Sequence, residues 1–458
     1  MAAISNKAVT SKKNVEFSFA VFFSIAVVVA ALAVGPRSAF ADVATFRGST
    51  MGTTFVVKVV VDGKASDVES LKDKIQVKLA RINSLMSTYL SESEVSRFNA
   101  STDTEWFEVS RETAEVVNRA REISELSNGA FDITVGPLVA LWNFGAASRG
   151  EAAFQLPRDE QIAATLTSVG YQKLAVRMEP PAIRKTIGPL QIDLSAIAKG
   201  YAVDVLADLL ETHASKAFMV EIGGEVRVRG SRPGGEGWRI GVESPDPQAR
   251  KLELIVPLHD QAMATSGDYR NFYRYDGKLY SHTIDPKSGR PVDHTLTSCS
   301  VLSPDCATAD AIATTMLVLG PVAGKQWAEE HGVAVLMFVR DGDGITRSQT
   351  SQFPAIVSTV NDDAPGFPAL VLVSIVVFAV ALAGMAIGVI VKNKALTGSC
   401  GGLAGMKDET GKTVCQLCAR PAADCDGDPD KDGPGKEQNK KEGHGDGECE
   451  ERETVNEY

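Results

Sequence analysis

Asp310 and Thr314 stand four residues apart in a run that is otherwise nearly all apolar (Ala309, Ala311, Ile312, Ala313, Met316, Leu317, Val318). On a helix they share one face, about 6 Å apart at Cβ. A carboxylate beside a hydroxyl is hard oxygen chemistry, suited to Mg²⁺ rather than zinc. An acid in so apolar a helix is costly to bury unless paired or metal-bound. The alternative is a carboxylate satisfied by backbone N–H groups near the helix start.

Three further segments carry candidate chemistry. In Ile192-Asp193-Leu194-Ser195-Ala196-Ile197-Ala198-Lys199-Gly200-Tyr201 the pattern predicts a strand ending near Leu194 and a helix from near Ser195 to about Leu210. A helix N-terminus offers free N–H groups to a phosphate, and Lys199 would add a full positive charge. Alternatively, Ser195 is a plain N-cap and Lys199 a solvated side chain. In Ser281-His282-Thr283-Ile284-Asp285-Pro286-Lys287-Ser288-Gly289 the Asp-Pro-x-x-Gly is a turn signature, with His282 displayed just before it at the end of a short strand. Such a histidine can serve as a general base, although a lone histidine near a turn is more often structural. Gly129 to Pro137, followed by Leu141-Trp142-Asn143-Phe144-Gly145, could wall a flat heterocycle or simply pack around a turn. No Gly-x-Gly-x-x-Gly opens a helix, so a Rossmann cofactor domain is not indicated.

Positioning these groups falls to a mixed set of elements. The pattern predicts a strand over 55–61 and a helix over 67–85 with Val68, Leu71, Ile75, Leu79 and Ile82 on one face. A second helix over 113–126 ends at Asn128-Gly129. Strands 218–222 and 225–228 hinge at Gly223-Gly224, and a strand over 297–303 leads into a helix over about 307–319. No internal repeat is visible.

The chain has 458 residues, 44% hydrophobic and 23% charged, which is globular composition with room for a large core plus appendages. Its net charge of −11 argues against a nucleic-acid partner, and much of the acidity sits near the C-terminus. Of the seven cysteines, Cys299 and Cys306 lie mid-chain, while Cys400, Cys415, Cys418, Cys425 and Cys449 crowd the end. The middle of the chain therefore has no disulfide framework.

Two segments point to a membrane. Lys7, Lys12 and Lys13 precede an apolar run from Phe17 to Val34, and Ala39-Phe40-Ala41 follows with a small-x-small cleavage pattern. This is the anatomy of a secretory signal, cleaved after Ala41 or retained as an anchor. Residues 367–391 carry no charge and span roughly 37 Å as a helix, enough to cross a bilayer. Asp362 and Asp363 precede that run, and Lys392 and Lys394 follow it. The positive-inside rule then places residues 42–365 outside the cytoplasm and the cysteine-rich tail inside. The expected location is the bacterial inner membrane, with the large domain periplasmic.

Taken together, the motifs resemble the ApbE family of FAD:protein FMN transferases over residues 46 to about 335. They are Met51-Gly52-Thr53, Met86-Ser87-Thr88-Tyr89, Ser93-Glu94-Val95-Ser96-Arg97-Phe98-Asn99 and Ala130 to Pro137, then Asp193 to Gly200, Gly223-Gly224-Glu225, His282 to Pro286 and Ala309-Asp310-Ala311. The resemblance implies an α+β domain of mixed α/β, T-fold-like architecture. It implies that FAD lies with its isoalloxazine near Met51, Tyr89, Ala130, Phe131 and Asp132, that Asp193 and Lys199 contact the nucleotide, and that Ile284 also lines the cofactor site. It further implies Mg²⁺ held by Asp310, Thr314 and the carbonyl of Ala196, and His282 as the base that takes a proton from a Thr or Ser hydroxyl on the acceptor protein. Ser195 departs from the glycine that many relatives carry.

Gly384-Met385-Ala386-Ile387-Gly388, Gly398 to Leu403, Cys415-Gln416-Leu417-Cys418 and Cys425 resemble NqrM, a maturation factor of the sodium-translocating NADH:quinone oxidoreductase. That likeness implies iron at Cys400, Cys415, Cys418 and Cys425, and flavin-acceptor subunits of that complex or of a related Rnf-type complex as partners. The expected layout is a signal or anchor over 1–41, the transferase over 42–350, a linker over 351–366 and a membrane helix over 367–391. A cytoplasmic cysteine module over 392–425 and a disordered acidic tail over 426–458 complete it. Alternatives to the transferase are a periplasmic FAD pyrophosphatase releasing FMN and AMP, and a non-catalytic flavin carrier or assembly factor.

Overall fold

The computed structural model describes residues 42–359 apart from 62–64, 149–153, 214–215, 234, 246–251, 269–270, 343 and 355–357, together with Ile375 and Phe378. The leader 1–41, the membrane run 367–391 except those two residues, and the tail with Cys400, Cys415, Cys418 and Cys425 lie outside the described residues.

An eight-stranded antiparallel sheet frames the domain, its strands adjacent in chain order. They are β1 (Asp42–Thr50), β2 (Thr53–Val61), β3 (Phe218–Ile222), β4 (Glu225–Arg229), β5 (Ala262–Gly267), β6 (Leu296–Ser303), β7 (Ala334–Asp341) and β8 (Gly344–Gln349). Four long helices accompany it: α1 (Ala65–Met86), α2 (Arg111–Leu126), α3 (Ala198–Thr212) and α4 (Cys306–Glu330). On one face, Phe55, Val57 and Val59 of β2 and Phe218, Val220 and Ile222 of β3 share a core with Leu71, Ile75, Leu79 and Ile82 of α1. That i, i+4, i+8 spacing is why α1 forms and which side it buries. Along the same face, Ala309, Ala313 and Met316 of α4 pack with Cys299 and Val301 of β6.

The opposite face is also covered. Val226, Val228, Met263, Leu336 and Phe338 pack on Trp238, Ile240, Leu254 and Val256 of a three-stranded sheet formed by Trp238–Glu243, Leu252–Leu258 and Ser358–Thr359. Two covered faces explain the unbroken apolar run Ala334 to Val339 in β7. Phe353 is buried here and Ser358–Thr359 pairs with Leu254 and Ile255, so the fold continues past residue 350 into the stretch read as a linker.

Several local readings need correction. The segment before Asp193 is no strand: the Ile192 N–H and C=O are both taken by the Asn99 side chain at 2.8 Å, and the Asp193 N–H donates to the Ile133 carbonyl at 2.7 Å. The helix after it opens at Ala198, its N-cap Ile197 making no side-chain cap bond, so Ser195 is not the cap. The expected end of α4 at Leu319 is a kink: Gly320 has φ 76°, Pro321 follows, and the helix resumes to Glu330. By length and hydropathy α4 could cross a membrane. Its burial in the domain core accounts for that apolarity instead.

Candidate functional site

A cavity of about 440 Å³ opens beside the β3–β4 turn and the first turns of α4. Next to the cavity residues Lys199 and Asp310, α3 and α4 approach closely at Gly200, where an added Cβ would fall 2.3 Å from the Cys306 carbonyl oxygen. Only glycine permits that crossing. It lets the Gly200 N–H donate to Asp310 Oδ2 at 3.0 Å, although Asp310 is only 2% exposed. The Lys199 ammonium lies 3.3 Å from Glu225 Oε1 and 3.7 Å from Asp310 Oδ2, and donates to the Ser195 carbonyl at 3.3 Å. Burial opposes its charge, yet Asp310 and Glu225 outweigh burial and raise its pKa. The same burial pushes both carboxyls up, with Lys199 pulling each back down. Lys199 is therefore no solvated surface residue.

Thr314 and Ala196 border the same cavity. Asp310, Thr314 and the Ala196 carbonyl offer oxygen donors with one carboxylate, a set that would suit Mg²⁺ with its remaining positions open. Glu225 Oε2 is buried nearby without a hydrogen-bond partner. The residues fit a hard divalent cation. Among the described residues no group of three or more His, Cys, Asp or Glu is placed to hold a metal.

His282 follows the short strand Lys278–Ser281 and enters the cavity. Its Nδ1 is 3.0 Å from the Asn271 carbonyl oxygen. Burial lowers its pKa, the Asn271 carbonyl partly offsets this, and the charge of Lys199 adds to the lowering. The expected Asp285 turn is present, the carboxylate accepting from the N–H groups of Lys287 and Ser288.

Much of the remaining lining is apolar: Ala130, Phe131, Val135, Phe144 and Ile284 contribute to it, as does Tyr89, which stands 71% exposed. Asp132 also lines the cavity, but its carboxylate is committed elsewhere. Oδ1 accepts from the Thr134 amide and hydroxyl, and Oδ2 from the Tyr171 N–H at 2.8 Å, so it braces the wall. Asp193 accepts from the Ser195 N–H and hydroxyl, an Asx turn that leads the chain into α3.

Met51 does not line the cavity. It and Gly52 form the two-residue turn between β1 and β2, with φ of 50° and 75°, the positive pair that a type I′ hairpin needs. Sequence reasoning missed Glu225, Thr265 and Asn271 as cavity residues. Glu225-Val226-Arg227-Val228 alternates as a strand with one wet face does, but with both faces covered the polar side is buried too. Glu225 meets Lys199 there and Arg227 pairs with Asp204 at 2.8 Å.

Fold and cavity define a mixed α/β domain with one cavity whose lining is part apolar and aromatic, part charged. Residues 51–337 match the ApbE family, and residues 389–437 match (Na+)-NQR maturation NqrM. A Vibrio cholerae FAD:protein FMN transferase is 42% identical over 311 residues, 68% of this chain and 92% of that protein. The Haemophilus influenzae FAD:protein FMN transferase is 38% identical, over 69% and 92%. Among solved structures, flavin transferase ApbE from Vibrio cholerae aligns with a TM-score of 0.62 at 41% identity, covering 68% of this chain and 98% of that one. The apo form of Pseudomonas stutzeri flavinyl transferase ApbE gives 0.62 at 37%, over 68% and 95%. The chain belongs to the ApbE family and carries an NqrM segment near its C-terminus.

Proposed function

We propose that this protein transfers FMN from FAD to a threonine or serine hydroxyl of a membrane redox subunit. The observation that carries this is one cavity lined both by Ala130, Phe131 and Phe144 and by His282, Lys199, Asp310 and Thr314, with Phe144 edge-on to the His282 ring at 6.4 Å. The wall of Ala130, Phe131 and Phe144 suits a flat tricycle. Lys199 suits the diphosphate.

His282 takes the proton from the acceptor hydroxyl as that oxygen attacks the FMN-side phosphorus. The new P–O bond forms as the P–O–P anhydride bond breaks, and AMP leaves carrying the released charge. Asp310, Thr314 and the Ala196 carbonyl would hold Mg²⁺, which would supply charge neutralisation at the diphosphate. Gly200 and Asn271 hold Asp310 and His282 in place through the backbone contacts described above.

The NqrM segment supports a particular partner. A sodium-translocating NADH:quinone oxidoreductase, or an Rnf-type complex, would need both flavin and iron. We read Cys400, Cys415, Cys418 and Cys425 as the iron-binding thiols, because soft thiolates suit iron better than they suit Mg²⁺. Iron content of the purified chain, compared with a Cys415→Ser/Cys418→Ser variant, tests this; equal iron in both sinks it. We read the charges flanking residues 367–391 as favouring a periplasmic transferase domain and a cytoplasmic tail. Protease added to spheroplasts should cut the former and spare the latter.

The deciding experiment incubates a candidate acceptor subunit with the full chain, FAD and Mg²⁺ and reads in-gel flavin fluorescence, beside EDTA and Asp310→Ala controls. A fluorescent acceptor band that needs Mg²⁺ and Asp310 supports the transferase. FAD split to FMN and AMP with no labelled acceptor favours a pyrophosphatase, and intact bound FAD a carrier.

A further inference from the structure

Glu225 is 3% exposed, its Oε2 has no hydrogen-bond partner, and its Oε1 lies closer to Lys199 than Asp310 does, 3.3 Å against 3.7 Å. A buried carboxylate with one unsatisfied oxygen is costly to keep and calls for a reason. Asp310 needs its negative charge free if it is to bind a cation. With Glu225 absent, the nearest anion to the Lys199 ammonium would be Asp310 itself. An ammonium seated on that carboxylate would neutralise it and repel a divalent ion.

We propose that Glu225 is a positioning residue that takes the nearer contact with the Lys199 ammonium, 3.3 Å against 3.7 Å to Asp310, and so draws the ammonium off the Asp310 carboxylate far enough to leave it open to a divalent cation, with Lys199 in reach of the substrate's phosphates. This rests on the reading of Asp310 as a metal ligand. One lysine then serves the anionic substrate, and Glu225 limits how far it quenches Asp310.

The test is a double-mutant cycle on metal binding without turnover, using Mn²⁺ as the probe and free-Mn²⁺ EPR on the full-length protein in detergent. Wild type, Glu225→Gln, Lys199→Met and the double variant are compared, with Asp310→Ala as control. Glu225→Gln should weaken Mn²⁺ binding by about tenfold or more, equivalent to one pKa-sized electrostatic step. In the Lys199→Met background the same change should cost little, because no ammonium remains to be misplaced. An equal loss in both backgrounds overturns the proposal: Glu225 would then act through its own charge alone. Should Glu225→Gln fail to fold, Glu225→Asp takes its place, since the shorter side chain keeps the charge but withdraws it from Lys199: weaker Mn²⁺ binding only while Lys199 is present is the expected result, and unchanged binding overturns the inference. If wild type binds no Mn²⁺ that depends on Asp310, the metal reading fails instead.

Discussion

His282 turns its Nδ1 toward the backbone carbonyl of Asn271, 3.0 Å away. A carbonyl can only accept, so Nδ1 carries the hydrogen and Nε2 keeps its lone pair for a proton. Burial and Lys199 hold the imidazole's pKa below its ordinary 6.5. The neutral, basic form therefore persists to lower pH than in a free histidine. A profile of kcat/KM for FMN transfer should be flat above about pH 6.5 and fall only as pH drops through the depressed value. His282→Gln should lose about 10²- to 10⁴-fold in rate. Loss of less than tenfold would remove His282 from the chemistry.

Gly200→Ala should damage stability and the site together. Its Cβ would meet the Cys306 carbonyl carbon at 2.7 Å and Ala307 Cα at 2.8 Å, backbone atoms that cannot step aside. Forcing α3 from α4 should cost about 1–3 kcal/mol and stretch the Gly200–Asp310 hydrogen bond. Thermal melting and Mn²⁺ binding should both fall. A variant that melts with the wild type would show that the crossing is looser than described.

Asn99→Asp tests the brace under Asp193. The Asn99 amide donates to the Ile192 carbonyl and accepts from its N–H, replacing strand pairing for an unpaired stretch of chain. Aspartate can still accept but cannot donate, and its charge would face a carbonyl oxygen. A loss of about 1–3 kcal/mol is expected by chemical denaturation, and an unchanged midpoint would sink the idea.

Asp204→Asn probes the other tie between α3 and α4. The Asp204 carboxylate accepts from the N–H groups of Cys306 and Ala307, each at 2.9 Å, and from Arg227 at 2.8 Å. The amide keeps the shape but loses the charge that answers both the arginine and the start of α4. Leaving Arg227 with a neutral partner should cost about 2–4 kcal/mol and lower the melting temperature by several degrees. FMN transfer measured well below the melt should persist, because Asp204 lies outside the cavity that holds His282 and Asp310.

Much of the framework was legible because its signals are local. The apolar spacing of α1, the Asn128-Gly129 stop after α2, the Gly223-Gly224 hinge and the Asp285 turn each depend on residues within one or two turns of chain. The site residues were legible for a different reason: Asp310, Thr314, Lys199 and His282 are polar groups set in apolar or turn sequence, which stand out by contrast. Where a long-range contact replaced a local rule, the reading failed. Ile192 looks like strand but pairs with an asparagine side chain far back in the sequence. Ser195 looks like a helix cap but is bound by Asp193.

The sequence by itself determined the family, the elements, and the polar residues available for chemistry, since periodicity, turn chemistry and motif order are written along one chain. Only the tertiary structure decided which of them meet. It drew Met51 into a hairpin turn, because two positive φ values were needed there. It committed the Asp132 oxygens to Thr134 and Tyr171 rather than to a ligand. It buried Glu225 beside Lys199 by covering both faces of the sheet. Distances between side chains on different elements follow from how those elements cross, and no single stretch of sequence encodes the crossing.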